Sequence, residues 1–133
     1  MKLTQMPSHI EEANRYLKDA RKILRENGKK EGEFYGDKKY VKMAGNMAWN
    51  GVVKALDNTF AMRKNLKKGQ FPDVKDYQRE IGKLNHSKLK LFNNAYDTLH
   101  RVLGYDGNLS VVIVREGLRE AQEIIQWCEI IHK

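Results

Sequence analysis

One arginine and one histidine stand at a spacing that could support catalysis. Arg79 and His86 are seven residues apart, which is two turns of a helix, so both side chains would project from the same side. A ribonuclease could use such a histidine as a general acid or base and the arginine to hold a phosphate. With 25 basic residues and 4 histidines, the spacing also arises by chance on an outer helix face. A chance spacing is the favoured interpretation, so the sequence argues against an enzyme.

A run of basic residues without an acidic neighbour is the second candidate. Residues 1–70 carry 16 Lys or Arg against 8 Asp or Glu, whereas the two signs balance in residues 71–133. Half of the net charge of +8 comes from four residues of one short linker, Arg63, Lys64, Lys67 and Lys68. We expect these four to bind an acidic protein or a nucleic acid. The alternative is that they only confer solubility.

The sequence offers no pattern for a metal or a cofactor, and we expect neither. The four histidines are scattered over positions 9, 86, 100 and 132, without the short helical spacing of metal ligands. Neither a glycine-rich phosphate loop nor a GxSxG nucleophile motif occurs. Cys128 falls in an apolar helical stripe, which favours a small buried hydrophobe over a reactive thiol. A single cysteine also indicates a reducing compartment, so we expect a cytoplasmic protein.

Two polar stripes and one aromatic loop have both a structural and a functional interpretation. The stripes are Asn46, Asn50 and Asp57 in one helix and Asn93, Asn94 and Asp97 in another. Both lie on polar arcs beside basic residues, so we expect solvated faces rather than a site for a polar ligand. The loop at residues 34–40 mixes aromatics with lysines, as a base-stacking platform does. Such aromatics more often fasten a loop onto a helix start.

Apolar residues recur at helical spacing in five segments, and turn residues separate them. The predicted helices cover about residues 8–26, 37–62, 73–85, 87–103 and 110–131. In the first helix, Glu11 with Arg15, Arg15 with Asp19, and Lys22 with Glu26 are spaced for ion pairs on a solvated face. The second helix has the widest apolar arc, which predicts a central position.

Cap residues mark most of these helix ends. Ser8 and Glu11 form a capping-box pattern, and Asn27-Gly28 predicts a left-handed stop for the first helix. Asp37, Ser87 and Ser110 are predicted to begin the second, fourth and fifth helices.

Short linkers favour antiparallel neighbours, so the predicted fold is all-α, a single up-and-down bundle of five helices. We expect residues 1–133 to form one domain without a membrane span, because the longest aliphatic run is only residues 111–114. Whether the chain forms a homodimer, and whether the bundle holds a small-ligand pocket, are both left open by the sequence.

Four segments resemble an uncharacterised family of small helical-bundle proteins found mainly in Bacteroidetes. They are YLKDARKIL at 16–24, DKKYVKMAG at 37–45, AYDTLH at 95–100 and GYDGNLS at 104–110. This resemblance, to a domain of unknown function, implies a bundle of five helices and no assigned activity.

Residues 44–56 and the last two helices are more distantly similar to HEPN-type bundles. That group includes dimeric ribonucleases and toxin or antitoxin components, and its active members carry Arg-x4-6-His. The similarity implies a ribonuclease alternative in which Arg79 and His86 form the site, although Glu80 departs from the usual residue after the arginine. The leading hypothesis is a non-enzymatic interaction module with a basic surface.

Overall fold

Five helices and one short hairpin make up the structure. The computed structural model describes residues 6–64 and 66–132. Its elements are α1 (Ser8–Asn27), β1 (Lys30–Glu31), β2 (Phe34–Tyr35), α2 (Lys38–Thr59), α3 (Val74–Leu84), α4 (His86–Ala95) with a π-helical continuation (Tyr96–Tyr105), and α5 (Val111–His132). The predicted all-α bundle of five helices is confirmed.

Helix α2 lies at the centre of the bundle, as its wide apolar arc predicts. It packs against α1, against α5 and against the π-helical part of α4. The core combines small residues of α2, such as Ala44 and Ala48, with larger side chains from its neighbours, such as Leu17, Phe92 and Ile124.

Glycines allow α2 to approach its neighbours closely. A Cβ atom at Gly45 would lie 2.9 Å from the carbonyl oxygen of Leu99, and one at Gly51 would lie 2.9 Å from the carbonyl oxygen of Ala13. Both positions are buried, although glycine has no apolar side chain that would mark them as core positions in the sequence. These contacts fix the spacing between α2 and two neighbouring helices.

The two ends of α1 differ from the predicted caps. Pro7 is the N-cap residue and no side chain caps the helix, so the predicted Ser8 capping box is wrong. Proline fixes the extended backbone that precedes a helix, and its carbonyl accepts from the Ile10 and Glu11 amides at 3.0 Å. At the other end Gly28 is right-handed, and Lys29 instead takes the positive φ of 54°.

A hairpin occupies part of the segment that was predicted to be only a loop. Lys30 pairs with Tyr35 and Glu31 with Phe34, and Gly32 supplies the positive φ of the turn. The Tyr35 amide donates to the Leu109 carbonyl at 2.9 Å, and the Val111 amide donates to the Glu33 carbonyl at 2.9 Å. The hairpin is therefore fastened to the start of α5.

Helix α2 begins at the predicted Asp37 cap but ends at Thr59, three residues before the predicted end. Ala61 has a φ of 49°, the Ala61 amide donates to the Asn58 carbonyl, and the Met62 amide donates to the Asp57 carbonyl. This is the hydrogen-bond pattern of a Schellman stop, with alanine at the left-handed position that usually holds glycine.

The last three helices also begin at identifiable caps. Asp73 and Asp76 form a reciprocal capping box on α3. Asn85, rather than the predicted Ser87, caps α4, and its side chain accepts from the Lys88 amide at 3.0 Å. The Ser110 hydroxyl accepts from the Ile113 amide at 3.3 Å, as predicted for α5. Within the described residues, no helix is both long and apolar enough to cross a bilayer.

Candidate functional site

The basic linker begins directly after the Schellman stop of α2. The Lys64 amide donates to the Ala61 carbonyl and the Leu66 amide to the Arg63 carbonyl, which makes a chain of tight turns. Farther on, the Lys67 amide donates to the Gln70 side chain at 3.0 Å. The basic side chains therefore project from turned backbone rather than from a helix.

Asp57 joins this linker to α2 and α3. Its carboxylate accepts from the Tyr77 hydroxyl and, at 3.0 Å, from Arg63 Nε, and the Asp57 side chain is only 10% exposed. Burial and the neighbouring carboxylate raise the pKa of Tyr77, so its hydroxyl stays a donor. The prediction that Asp57 belongs to a solvated stripe is wrong, because α3 and the linker cover it.

Arg63 is held on a second side as well. Its guanidinium carbon lies 5.1 Å from the centre of the Phe71 ring, in a cation–π contact. The remaining linker cations, Lys64, Lys67 and Lys68, are exposed, and none lies within 4.0 Å of a carboxylate belonging to residues 6–64 or 66–132. The linker thus combines one anchored arginine with three solvated lysines. We call these four residues the linker surface.

A cleft of about 760 Å³ opens beside the linker surface, between α1 and the second half of α2. Its charged lining residues are Glu12, Lys54, Asp57, Arg63 and Lys64, and Lys54 Nζ lies 3.5 Å from the Glu12 carboxylate. Asn50 and Tyr16 add neutral polar groups. Asn50 and Asp57 of the predicted polar stripe therefore share one cleft with Arg63 and Lys64, and we call it the linker cleft.

Arg79 and His86 lie on different helices. Arg79 is in α3 and contacts the carboxylates of Asp76 at 3.2 Å and Glu80 at 3.3 Å. His86 is the exposed first residue of α4, and Asn85 interrupts the helix between the two with an extended backbone. Arg79 lines a cleft of about 330 Å³ that His86 does not line. A ribonuclease site built from this pair stays a prediction.

Two histidines that are distant in sequence lie together. The His9 and His132 rings are 4.8 Å apart, and His9 Nε2 lies 3.3 Å from the Thr59 hydroxyl oxygen. Burial and the charge of His132 lower the pKa of His9. Over residues 6–64 and 66–132, no group of three or more His, Cys, Asp or Glu is arranged to hold a metal.

Cys128 is fully buried, and burial raises the pKa of its thiol to about 12. A thiol with so high a pKa is a poor nucleophile, since the thiolate is the reactive form.

The site residues that sequence analysis missed are Tyr77, Glu12 and Lys54. Tyr77 is spaced with Val74 and Ile81 on the apolar side of its helix, and only the Asp57 carboxylate of a neighbouring helix gives its hydroxyl a partner.

The arrangement defines a class: a five-helix bundle with a basic interhelical linker beside a cleft of mixed charge. The chain belongs to the DUF5618 family, a domain of unknown function, which it matches over residues 8–130. It is also similar to the solved structure of a protein of unknown function from Dyadobacter fermentans, with 39% identity and a TM-score of 0.83. That match covers 92% of this chain and 94% of the other. None of the curated proteins matches this sequence.

Proposed function

We propose that this protein is a non-enzymatic interaction module whose linker surface binds an acidic segment of another protein. The observation that carries the proposal is that Lys64, Lys67 and Lys68 are exposed and unpaired within the described residues, while Arg63 is anchored by Asp57 and Phe71. A cytoplasmic location is consistent with this proposal, because Cys128 is a buried free thiol and the fold does not depend on a disulfide that an oxidising compartment would form.

The anchored arginine lowers the conformational entropy that the linker surface loses when it binds a partner. A flexible loop must lose conformational entropy when it binds, at about 1–2 kcal/mol for each residue that becomes ordered. Arg63 and the turn hydrogen bonds already restrict this linker, so less entropy remains to be lost. The lysines can then form ion pairs with carboxylates at a smaller cost in conformational entropy.

The charges of the linker cleft favour a protein over a nucleic acid. Glu12 and Asp57 lie among its cations, and a regular row of phosphates would place negative charge against them. A polypeptide can instead place neutral residues there and acidic residues over the lysines. Asn50 and Tyr16 offer hydrogen-bonding groups for such neutral positions.

The test compares two variants that lose the same charge. In the first, Arg63, Lys64, Lys67 and Lys68 are all replaced by glutamine. In the control, four exposed cations of α3, of α4 and of its π-helical continuation, namely Lys75, Lys83, Lys90 and Arg101, are replaced by glutamine. Affinity for fluorescent polyglutamate is measured by anisotropy at two salt concentrations.

We expect the linker variant to bind polyglutamate about tenfold or more weakly, because each exposed ion pair contributes about 0.2–1 kcal/mol. The control should stay within about threefold of the natural protein, and raised salt should weaken binding. Equal weakening by both variants would show that only net charge matters. That result, or no effect of the linker variant, would contradict the proposal.

A further inference from the structure

A second basic surface runs along the opposite flank of α1. In α1, Lys18, Arg21, Lys22 and Arg25 line a groove of about 350 Å³ against Gln122 and Gln126 of α5. The groove adjoins a second cleft of about 310 Å³, with which it shares Arg21 and Arg25, and which Lys30 and Tyr35 of the hairpin also line. We call this continuous feature the α1–α5 groove.

No acidic residue lines either part of the α1–α5 groove, whereas two acidic residues line the linker cleft. The predicted ion pairs of α1 do not form: within the described chain, no carboxylate lies within 4.0 Å of Arg15 or Lys22. Glu12, which belongs to none of these pairs, lies 3.5 Å from Lys54 of α2. The basic side chains that face α5 are thus not neutralised by their own helix.

These cations form a row rather than a single pocket. One helical turn advances about 5.4 Å, so Lys18, Arg21 and Arg25 extend over about 10 Å along the helix axis. This distance is close to the Debye length of about 8 Å at physiological salt, so their fields reinforce one another. A linear polyanion satisfies such a row better than one small anion does.

A hydrogen bond to α5 restrains Arg21, one of the cations in this row. Arg21 Nη2 donates to Gln122 Oε1 at 2.7 Å, which links the guanidinium to α5 across the groove. Its other N–H groups have no partner within the described chain, so they are available to phosphate oxygens. Guanidinium groups bind phosphate through paired, charge-assisted hydrogen bonds.

An aromatic residue stands at the end of the row. Tyr35 packs over Gly28, where a Cβ atom would lie only 2.7 Å from its ring, and it also lines the second cleft beside Arg25 and Lys30. A positively charged groove with aromatic side chains is the arrangement that binds single-stranded nucleic acids.

We propose that the α1–α5 groove binds a single-stranded nucleic acid, with phosphates along α1 and a base near Tyr35. This site is separate from the linker surface, and either one can exist without the other. The ligand is a phosphodiester chain, because the arginines can bind its phosphates while Tyr35 of the hairpin stacks on one of its bases.

The experiment compares an α1 variant, in which Lys18, Arg21, Lys22 and Arg25 are all replaced by glutamine, with the charge-matched control variant already described. The probes are fluorescent oligouridylate and oligodeoxythymidylate of about 12 nucleotides, a typical site size for small single-strand-binding domains. We expect the α1 variant to bind at least about tenfold more weakly than the natural protein. The control variant should stay within about threefold. For four phosphate contacts, raising salt from about 50 to 200 mM should weaken natural binding roughly 50-fold.

Two further variants keep the test decisive if the quadruple variant folds poorly. Arg25→Gln alone should reduce the steepness of the salt dependence by about 0.7 on logarithmic axes, the loss of one phosphate contact. Tyr35→Leu, which keeps an apolar side chain over Gly28, should weaken binding about fivefold or more through lost stacking. Equal weakening by the α1 variant and the control variant, or no binding of either oligonucleotide at the lower salt, would overturn the proposal.

Discussion

Removing the Tyr77 hydroxyl tests whether Asp57 holds the linker and α3 to the bundle. In Tyr77→Phe the ring keeps its contact with Phe92, whose centre is 5.9 Å away, while the buried Asp57 carboxylate loses a donor. A hydrogen bond to a charged group contributes about 1.5–3 kcal/mol. We therefore expect the free energy of unfolding to fall by about that amount.

The corresponding shift in melting temperature follows from the size of the chain. An unfolding entropy of about 2.1 cal/mol/K per residue gives roughly 0.28 kcal/mol/K for 133 residues, so the melting temperature should fall by about 5–11 °C. Circular dichroism melting and urea titration would measure both quantities. The urea midpoint should move while the slope stays unchanged.

Tyr96→Phe is the matched control, because it removes the same atom from a hydroxyl without a hydrogen-bond partner in the described chain. It should change stability by less than about 0.5 kcal/mol. If Tyr77→Phe costs no more than this control, the Asp57 contact does not stabilise the fold and the anchoring of the linker loses its basis.

Three more predictions concern other parts of the chain. Glu120 is 5% exposed with an unpartnered Oε1, and burial raises its pKa above 4.5 despite the Thr98 hydroxyl. The folded state therefore holds this proton more tightly, and stability is lost as pH rises from about 4.5 through the raised pKa. Glu120→Gln should accordingly be more stable than the natural protein at pH 7, with the gain disappearing in acid urea titrations; a constant difference would contradict this. Ala61→Gly should raise stability by about 0.5–1 kcal/mol, since glycine relieves the left-handed strain, and a loss of stability in the same titration would refute it. If Arg79 and His86 form a ribonuclease site, His86→Ala should abolish RNA cleavage by the purified protein, and unchanged cleavage would reject that assignment.

Much of the fold follows from local sequence. Helix period and caps identify five helices, because hydrogen bonds within a helix and apolar stripes join residues only three or four positions apart. Asp37 and Ser110 act as the predicted caps. The errors at Ser8 and Ser87 occurred where a neighbouring Pro7 or Asn85 could also begin the helix. Sequence alone does not rank such competing caps.

The candidate sites depended on tertiary structure. The sequence identified the basic linker, but Arg63 is anchored by Asp57, which in turn is covered by Tyr77, twenty positions farther along the chain. In α1, Lys18, Arg21 and Arg25 have no acidic residue three or four positions away, so local spacing already leaves these three cations without a partner in their own helix. Which face of α1 meets α2 and which meets α5 is decided by packing the whole apolar surface at once. Only assembly of the bundle therefore places this basic row beside α5 and the hairpin.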